Sequence, residues 1–362
     1  MTKTLHVGQP NLLDMYGFLR LAKKIWRSGR LTNDGPIVQE FEEAVANVLN
    51  VKHAVAVNNA TTGLQVAAKA MFLTGEVIVP SFTFVGTVGA LAWIGLTPVF
   101  CDIDPNTLCL DLDEVRRLIT EKTTAVLGVH LFGRPCAPDQ LEDIAYQHHL
   151  RLIFDAAHAF GVTYGGRNIG TFGDCEVFSF HATKFVHSFE GGVITTNNDR
   201  VATALRLRRN YGFVRETVTA VAGTNAKMSE IHAAMGLISL KSMDWIRAVN
   251  RANYEQYYEL LSDVAGVYMR ETSRPDNGGN YQYVVLEIPE GRDALYDKLQ
   301  AEGVMARRYF HPGCHRLRPW VEDRIGLPVT EKISSRLLCL PNGVAVLHRD
   351  VERVCNIIRG GW

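Results

Sequence analysis

The chain has 362 residues, 47% of them hydrophobic, with 38 basic and 38 acidic side chains and a formal net charge of zero. That size buries a large core and predicts two or three domains, while the balanced charge removes the attraction on which nucleic-acid binding rests. No apolar run is long enough to span a bilayer, MTKTLHVGQPNLLD has no signal-peptide core, and seven scattered cysteines without a C-x-x-C pair read as reduced thiols of a cytoplasmic protein, not as disulfides or zinc ligands.

In chain order, residues 12–28 carry an amphipathic helical pattern ending near Gly29, and Arg30-Leu31-Thr32-Asn33-Asp34-Gly35-Pro36 is a turn-rich loop. Ile37, Phe41, Val45 and Leu49 fall at helical spacing and predict the next helix. Ala54-Val55-Ala56-Val57 reads as a strand that enters a helix through Asn58-Asn59-Ala60-Thr61-Thr62-Gly63. Such an entry leaves backbone N–H groups at the positive end of the helix dipole, which suits a phosphate, although a plain capped helix has the same signature. Residues 77–80, 97–103 and 125–131 are short apolar strands, with helical patterns such as 113–119 between them. This alternation predicts a mainly parallel sheet covered on both faces.

Residues 152–192 hold the chemistry. Leu152-Ile153-Phe154 is an apolar run that stops at Asp155, and an acid at the end of a buried strand lies where α/β proteins bind ligands. Val177-Phe178-Ser179-Phe180 leads to Lys184; Gly191-Gly192 and a further strand, Val193-Ile194-Thr195-Thr196, follow. An acid and a lysine thus hang from neighbouring strand ends. A lysine amine forms a Schiff base with an aldehyde cofactor and an aspartate keeps a pyridinium nitrogen protonated, so the pair predicts pyridoxal 5′-phosphate (PLP). Taken singly, the two residues read as a surface lysine and a helix cap.

Beyond this stretch, a helix beginning near Ser229 is predicted to run past Trp245 towards Leu261, with a break. It crosses into a smaller α+β unit with a strand over 281–288, a helix over 292–301 and a terminal helix from Asp350. The expected domains are 1–245 and 246–362, with the N-terminal segment free to pack against the smaller one.

The strings Phe154-Asp155-Ala156-Ala157-His158-Ala159, Phe178-Ser179-Phe180-His181-Ala182-Thr183-Lys184 and Phe189-Glu190-Gly191-Gly192 resemble the nucleotide-sugar aminotransferases of the DegT/DnrJ/StrS type, a branch of the fold-type-I PLP enzymes. The likeness continues at Leu31-Thr32-Asn33, Pro80-Ser81-Phe82-Thr83-Phe84, residues 303–312 and Leu340-Pro341-Asn342, and so extends over nearly the whole chain. It implies an α/β architecture: a large PLP-binding domain with a mainly parallel sheet of the seven-stranded type between helices, then a smaller α+β C-terminal domain.

The resemblance also implies roles. Lys184 would carry PLP as a Schiff base and move a proton, Asp155 would face the ring nitrogen, and His158 would donate to the phenolate oxygen. Thr61, Thr62 and Ser179 would hold the phosphate, Phe84 would stack on the ring, and Asn225 would reach the phosphate of the other subunit in a homodimer with shared sites. Thr32, Asn33, Arg308, Tyr309 and His311 become candidates for the sugar nucleotide. Two positions depart from the pattern: Asp34 stands where a small or apolar residue is usual, and Thr224 replaces an aromatic before Asn225. His181 has no assigned role, and no metal site is expected.

The activity so implied is amino transfer from L-glutamate to a nucleotide-linked keto sugar, for O-antigen or a related glycan. C4 of a dTDP-4-keto-6-deoxyhexose is favoured over a C3-aminating variant. Dehydratases of the same family carry His in place of the lysine, so Lys184 favours transamination. Two readings from other classes are a non-catalytic PLP-binding sensor and a fold-type-I enzyme acting on amino acids, which would need an arginine for the substrate carboxylate.

Overall fold

A computed structural model describes residues 3–12, 14–273, 278–318, 320 and 325–362. The central sheet has seven strands: His53–Val57 (β1), Glu76–Pro80 (β2), Thr97–Cys101 (β3), Thr123–Val129 (β4), Arg151–Asp155 (β5), Cys175–Ser179 (β6) and Gly192–Thr196 (β7). Their spatial order is β1-β7-β6-β5-β4-β2-β3. Neighbours run parallel except at β7, which is antiparallel to both β1 and β6.

Strand periodicity divides the core. Val55, Val57, Val77, Val79, Leu127, Ile153 and Val177 point into one apolar cluster, while their neighbours Ala54, Ala56, Ile78, Val126, Phe154 and Phe178 point into another on the opposite face. Each face needs a helical cover. The helices of this part are Met15–Ser28 (α1), Pro36–Leu49 (α2), Ala60–Ala70 (α3), Val85–Trp93 (α4), Leu112–Leu118 (α5), Pro138–Gln147 (α6), Asp199–Arg209 (α7) and Glu230–Lys241 (α8). Leu64 of α3, Val88 of α4 and Leu205 of α7 cover the first face; Phe41 of α2, Leu141 of α6 and Leu237 of α8 cover the second.

The helix α9 (Met243–Leu261) follows α8 after a break at Ser242, as the sequence suggested. It packs into a third core with Leu286, Leu295, Leu338 and Val351, which holds an antiparallel sheet of Tyr268–Arg270, Val284–Glu287 and Leu337–Leu340. Leu5 belongs to this core because Leu5–His6 pairs in parallel with Val304–Met305. The helices Arg292–Ala301 (α10), Pro328–Ser334 (α11) and His348–Arg359 (α12) complete this part.

Boundaries differ from the pattern-based ones for local reasons. α1 begins at Met15, where Asp14 accepts the Gly17 N–H, and position 13 of the predicted helix lies outside the described residues. α12 begins at His348, and the Asp350 carboxylate accepts the Leu347 N–H. Among the described residues no helix is long and apolar enough to cross a membrane.

Candidate active site

The carboxyl ends of the parallel strands meet along one edge of the sheet. Asp155 closes β5 there and is buried. Its carboxylate is held from two directions: the Thr87 hydroxyl, in the first turn of α4, donates to Oδ2 at 2.8 Å, and the Ala157 N–H donates to Oδ1 at 3.1 Å. Burial pushes this carboxyl above its ordinary value; the hydrogen bonds from Thr87 and Ala157 and the charge of Lys184 pull it back.

Lys184 lies on the loop from β6 to β7. Part of its side chain is open to solvent, yet protein atoms enclose it closely. Burial lowers the amine from 10.5 to about 8, against a weaker upward pull from Asp155. The loop is pinned on both sides of the lysine. The Gln282 side-chain amide donates to the Thr183 carbonyl at 2.9 Å, and the Asn11 amide donates to the Phe185 carbonyl at 3.0 Å. Gly8 has φ of +76°, and a Cβ on it would lie 2.9 Å from Thr183 Cβ, so the turn after Leu5–His6 approaches this loop as closely as only glycine permits.

His158 sits in the turn after β5. Its Nδ1 accepts the Phe132 N–H at 3.1 Å, so the ring hydrogen belongs on Nε2. Burial, reinforced by the charge of Lys184, holds its pKa well below 6.5 and keeps the ring neutral. His158 is therefore a neutral donor. Phe132 reaches it from a left-handed backbone position, φ 55°; such strain in a bulky residue clusters at functional sites.

At the N-terminus of α3, Asn59 is the cap and its Oδ1 accepts the Thr62 N–H at 2.8 Å. The Thr62 amide is thus already engaged, and the exposed Thr61 is the one left free to meet a ligand. A Cβ on Gly192 would fall 2.8 Å from the Ala60 nitrogen, which is why Gly-Gly opens β7 beneath this helix end. Ser179, at the end of β6, is buried and accepts the His181 N–H at 3.3 Å. Phe84 precedes α4 with 56% of its surface exposed, far more than an apolar ring in a core would show. Gly86 brings it near α3, since a Cβ there would lie 2.8 Å from the Phe84 ring and 3.3 Å from Thr61 Oγ1.

The other predicted residues are exposed or bonded elsewhere, except Tyr309, which packs on two rings that border His158. Asn225 is exposed and accepts from Lys227 Nζ at 2.6 Å. Thr32 and Asn33 are exposed on a loop that Arg209 ties down through Asp34 at 3.0 Å. Arg308 turns away to Asp293, at 2.9 Å, and over the Tyr296 ring. Tyr309 packs beside Tyr283 and Phe310, and His311 is exposed. His181 braces the lysine loop, its Nδ1 accepting from Thr183.

Sequence reasoning missed Thr87, Phe132, Tyr283 and Phe310. Thr87 had a signal, one helical turn after Phe84. Phe310 lay inside the 303–312 string without a role and Phe132 had no signal; their rings meet His158 only through the fold, at 6.3 and 6.1 Å between centroids.

Two other features carry less chemistry. A surface hollow of about 880 Å³, lined by residues such as Asp104, Arg116, Arg134 and Tyr164, contains none of the groups above. Ser81, His315 and Glu331 form a serine–histidine–carboxylate line, with 2.6 Å from Ser81 Oγ to Nδ1 and 3.1 Å from Nε2 to Glu331. Ser81 and His315 have no exposed surface, so the hydroxyl cannot reach a substrate, and the line works as a clamp.

The central site joins an enclosed carboxylate, an amine lowered into a reactive range, a neutral donor, a helix N-terminus and an exposed aromatic face. This donor set fits PLP, whose ring nitrogen, aldehyde, phenolate, phosphate and flat face each find a matching group. Fold and site define a PLP-dependent enzyme of fold type I. The chain belongs to the DegT/DnrJ/EryC1/StrS aminotransferase family, which it matches over residues 17–359.

The chain is 35% identical over 367 residues to a dTDP-4-amino-4,6-dideoxy-D-glucose transaminase of Shigella dysenteriae, covering 99% of both proteins. It is also 35% identical over 344 residues to a GDP-perosamine synthase of Caulobacter vibrioides, covering 90% of each. Among solved structures it resembles DesI, determined in the presence of its TDP-sugar product. Identity is 48% and the TM-score 0.95, with 99% of this chain and 93% of DesI covered.

Proposed function

We propose that this protein transfers an amino group from glutamate to C4 of a dTDP-linked 4-keto-6-deoxyhexose, with PLP attached to Lys184. The observation that carries the reading is the lowered amine of Lys184 facing the buried Asp155. A lowered amine serves Schiff-base formation and, once released, proton transfer at the same carbon. The names of relatives such as the Shigella transaminase support the sugar and the carbon.

In this reading Asp155 faces the ring nitrogen and His158 donates Nε2–H to the ring oxygen. Thr61, the α3 amides and Ser179 hold the phosphate, while Phe84 covers one face and excludes water. Bound PLP supplies an electron sink for the bond-breaking at the amino-bearing carbon. Lys184, neutral in a sizeable fraction at physiological pH, takes a proton from that carbon and returns it on the other side of the transfer. Thr32, Asn33, Arg308, Tyr309 and His311 remain the candidates for the sugar nucleotide. Reaching it requires Arg308 to leave Asp293.

The active unit is a homodimer in which the partner subunit's Asn225 completes each phosphate site. Exposed apolar residues beside Asn225, namely Tyr211, Phe213, Val214 and Val218, support a covered surface there. All seven cysteines are free and buried, which supports a reducing compartment, the cytoplasm.

The test is a panel of dTDP- and GDP-linked keto sugars with glutamate, read by product NMR. A C4 amino product from the dTDP-4-keto-6-deoxy sugar is expected. Preference for the GDP sugar would favour the second reading, prompted by the perosamine synthase likeness. No turnover with any of them would overturn the proposal.

A further inference from the structure

In the proposed role Asp155 must stay ionised where burial favours the neutral acid. The groups that face it from the packed elements are Lys184 on the β6–β7 loop, His130 after β4, His158 in its own turn and Tyr283 from the C-terminal part. None of these donates a hydrogen bond to its carboxylate. Thr87 does, and Thr87 is itself bonded: its Oγ1 lies 3.1 Å from Thr83 Oγ1. The only hydroxyl hydrogen of Thr87 goes to Asp155, so the hydrogen in the second contact comes from Thr83. The result is a buried chain, Thr83 O–H to Thr87 O–H to Asp155 Oδ2, with both threonines almost fully shielded from solvent.

Hydroxyls donating in series polarise one another, and each strengthens the next. The turn that carries them is held firmly. Cys314 donates its N–H to the Ser81 carbonyl at 2.9 Å and its thiol to the Thr83 carbonyl at 3.3 Å, and His315 clamps Ser81. The relay is therefore preorganised by the C-terminal part of the chain before any ligand enters.

We infer that Thr83 and Thr87 are positioning residues whose hydroxyl relay keeps the Asp155 carboxylate ionised and aimed at its partner in the amination site. The inference rests on the proposed role of Asp155, but its first test needs neither cofactor nor substrate. Full-length protein labelled with carboxyl-¹³C aspartate is titrated before cofactor is added, and the Asp155 signal is assigned by its loss in Asp155→Asn. In Thr87→Val, which keeps shape and drops the hydroxyl, the Asp155 midpoint should rise by about one pH unit or more. Thr87→Ser should return it to near the native value, and Thr83→Val should raise it by a smaller amount. A midpoint in Thr87→Val equal to the native one overturns the inference. If that variant does not fold, an unchanged midpoint in Thr83→Val overturns it instead.

A second readout follows in the loaded enzyme. Thr87→Val should lower kcat about tenfold with little change in the KM for the sugar nucleotide, and move the acid limb of the pH–rate profile upward. If no keto sugar turns over even in the native protein, the functional reading fails while the ¹³C titration still decides the relay.

Discussion

The backbone N–H of Phe132 donates to Nδ1 of His158 at 3.1 Å, and this contact fixes which nitrogen of the imidazole carries the proton. A ring held this way, with its pKa well below 6.5, acts as a constant neutral donor and does not titrate in the working range.

If that is its role, an uncharged amide should replace it. His158→Gln is expected to retain activity within about tenfold and keep the native pH–rate profile, whereas His158→Ala, with no donor, should lose about a hundredfold. Loss of one limb of the profile in the Gln variant would show that His158 titrates during turnover.

The amine of Lys184 should betray its enclosure in the rate of cofactor uptake. Only the neutral amine attacks an aldehyde, and lowering its pKa from 10.5 to about 8 gives it roughly two to three powers of ten more of that form at neutral pH. The rate of PLP incorporation, followed by visible absorption, should rise with pH and level off above about 8. Borohydride reduction followed by peptide mapping should find the label on Lys184; a midpoint near 10.5, or a label elsewhere, would refute the assignment.

Shared sites make a prediction that survives the loss of either parent activity. Lys184→Ala protein should be inactive and Asn225→Ala impaired about tenfold or more. Mixed dimers contain one site with an intact Lys184 facing an intact Asn225, so co-refolded mixtures should exceed the weighted average of the parents. Activity at that average would leave Asn225 as a local residue bonded to Lys227.

Stability outside the site depends on Glu230. This buried carboxylate accepts the N–H groups of Ile37 and Val38 at 2.9 and 3.0 Å, capping α2 from a distant helix. Glu230→Ala leaves both donors unpaired and should cost about 3 kcal/mol in urea unfolding. Gln, with one acceptor oxygen, should recover part of it. A change below about 0.5 kcal/mol would mean that water replaces the carboxylate without loss.

Much of this protein is legible in local sequence because local spacing sets local structure. Apolar runs broken by turn residues mark the strands, and alternation with helical patterns gives a covered, mainly parallel sheet. Asp155 declares itself because it ends such a run, and Lys184 because it comes a few residues after another. Phe84 and Ser179 stand out only through their family strings; Phe84 is an exposed ring and Ser179 a strand-end hydroxyl.

What only the tertiary structure decided is the state of those residues. The antiparallel insertion of β7 between β1 and β6 brings the start of Gly192–Thr196 under the N-terminus of α3, an arrangement with no signature in either segment. The proton position on His158 depends on Phe132, 26 residues earlier. The ionisation of Asp155 depends on Thr87, 68 residues earlier. The lysine loop is pinned by Asn11 and Gln282 from opposite ends of the chain. Residue type and spacing determine which groups can do chemistry; burial and hydrogen bonding determine their protonation, and these arise only when distant segments pack together.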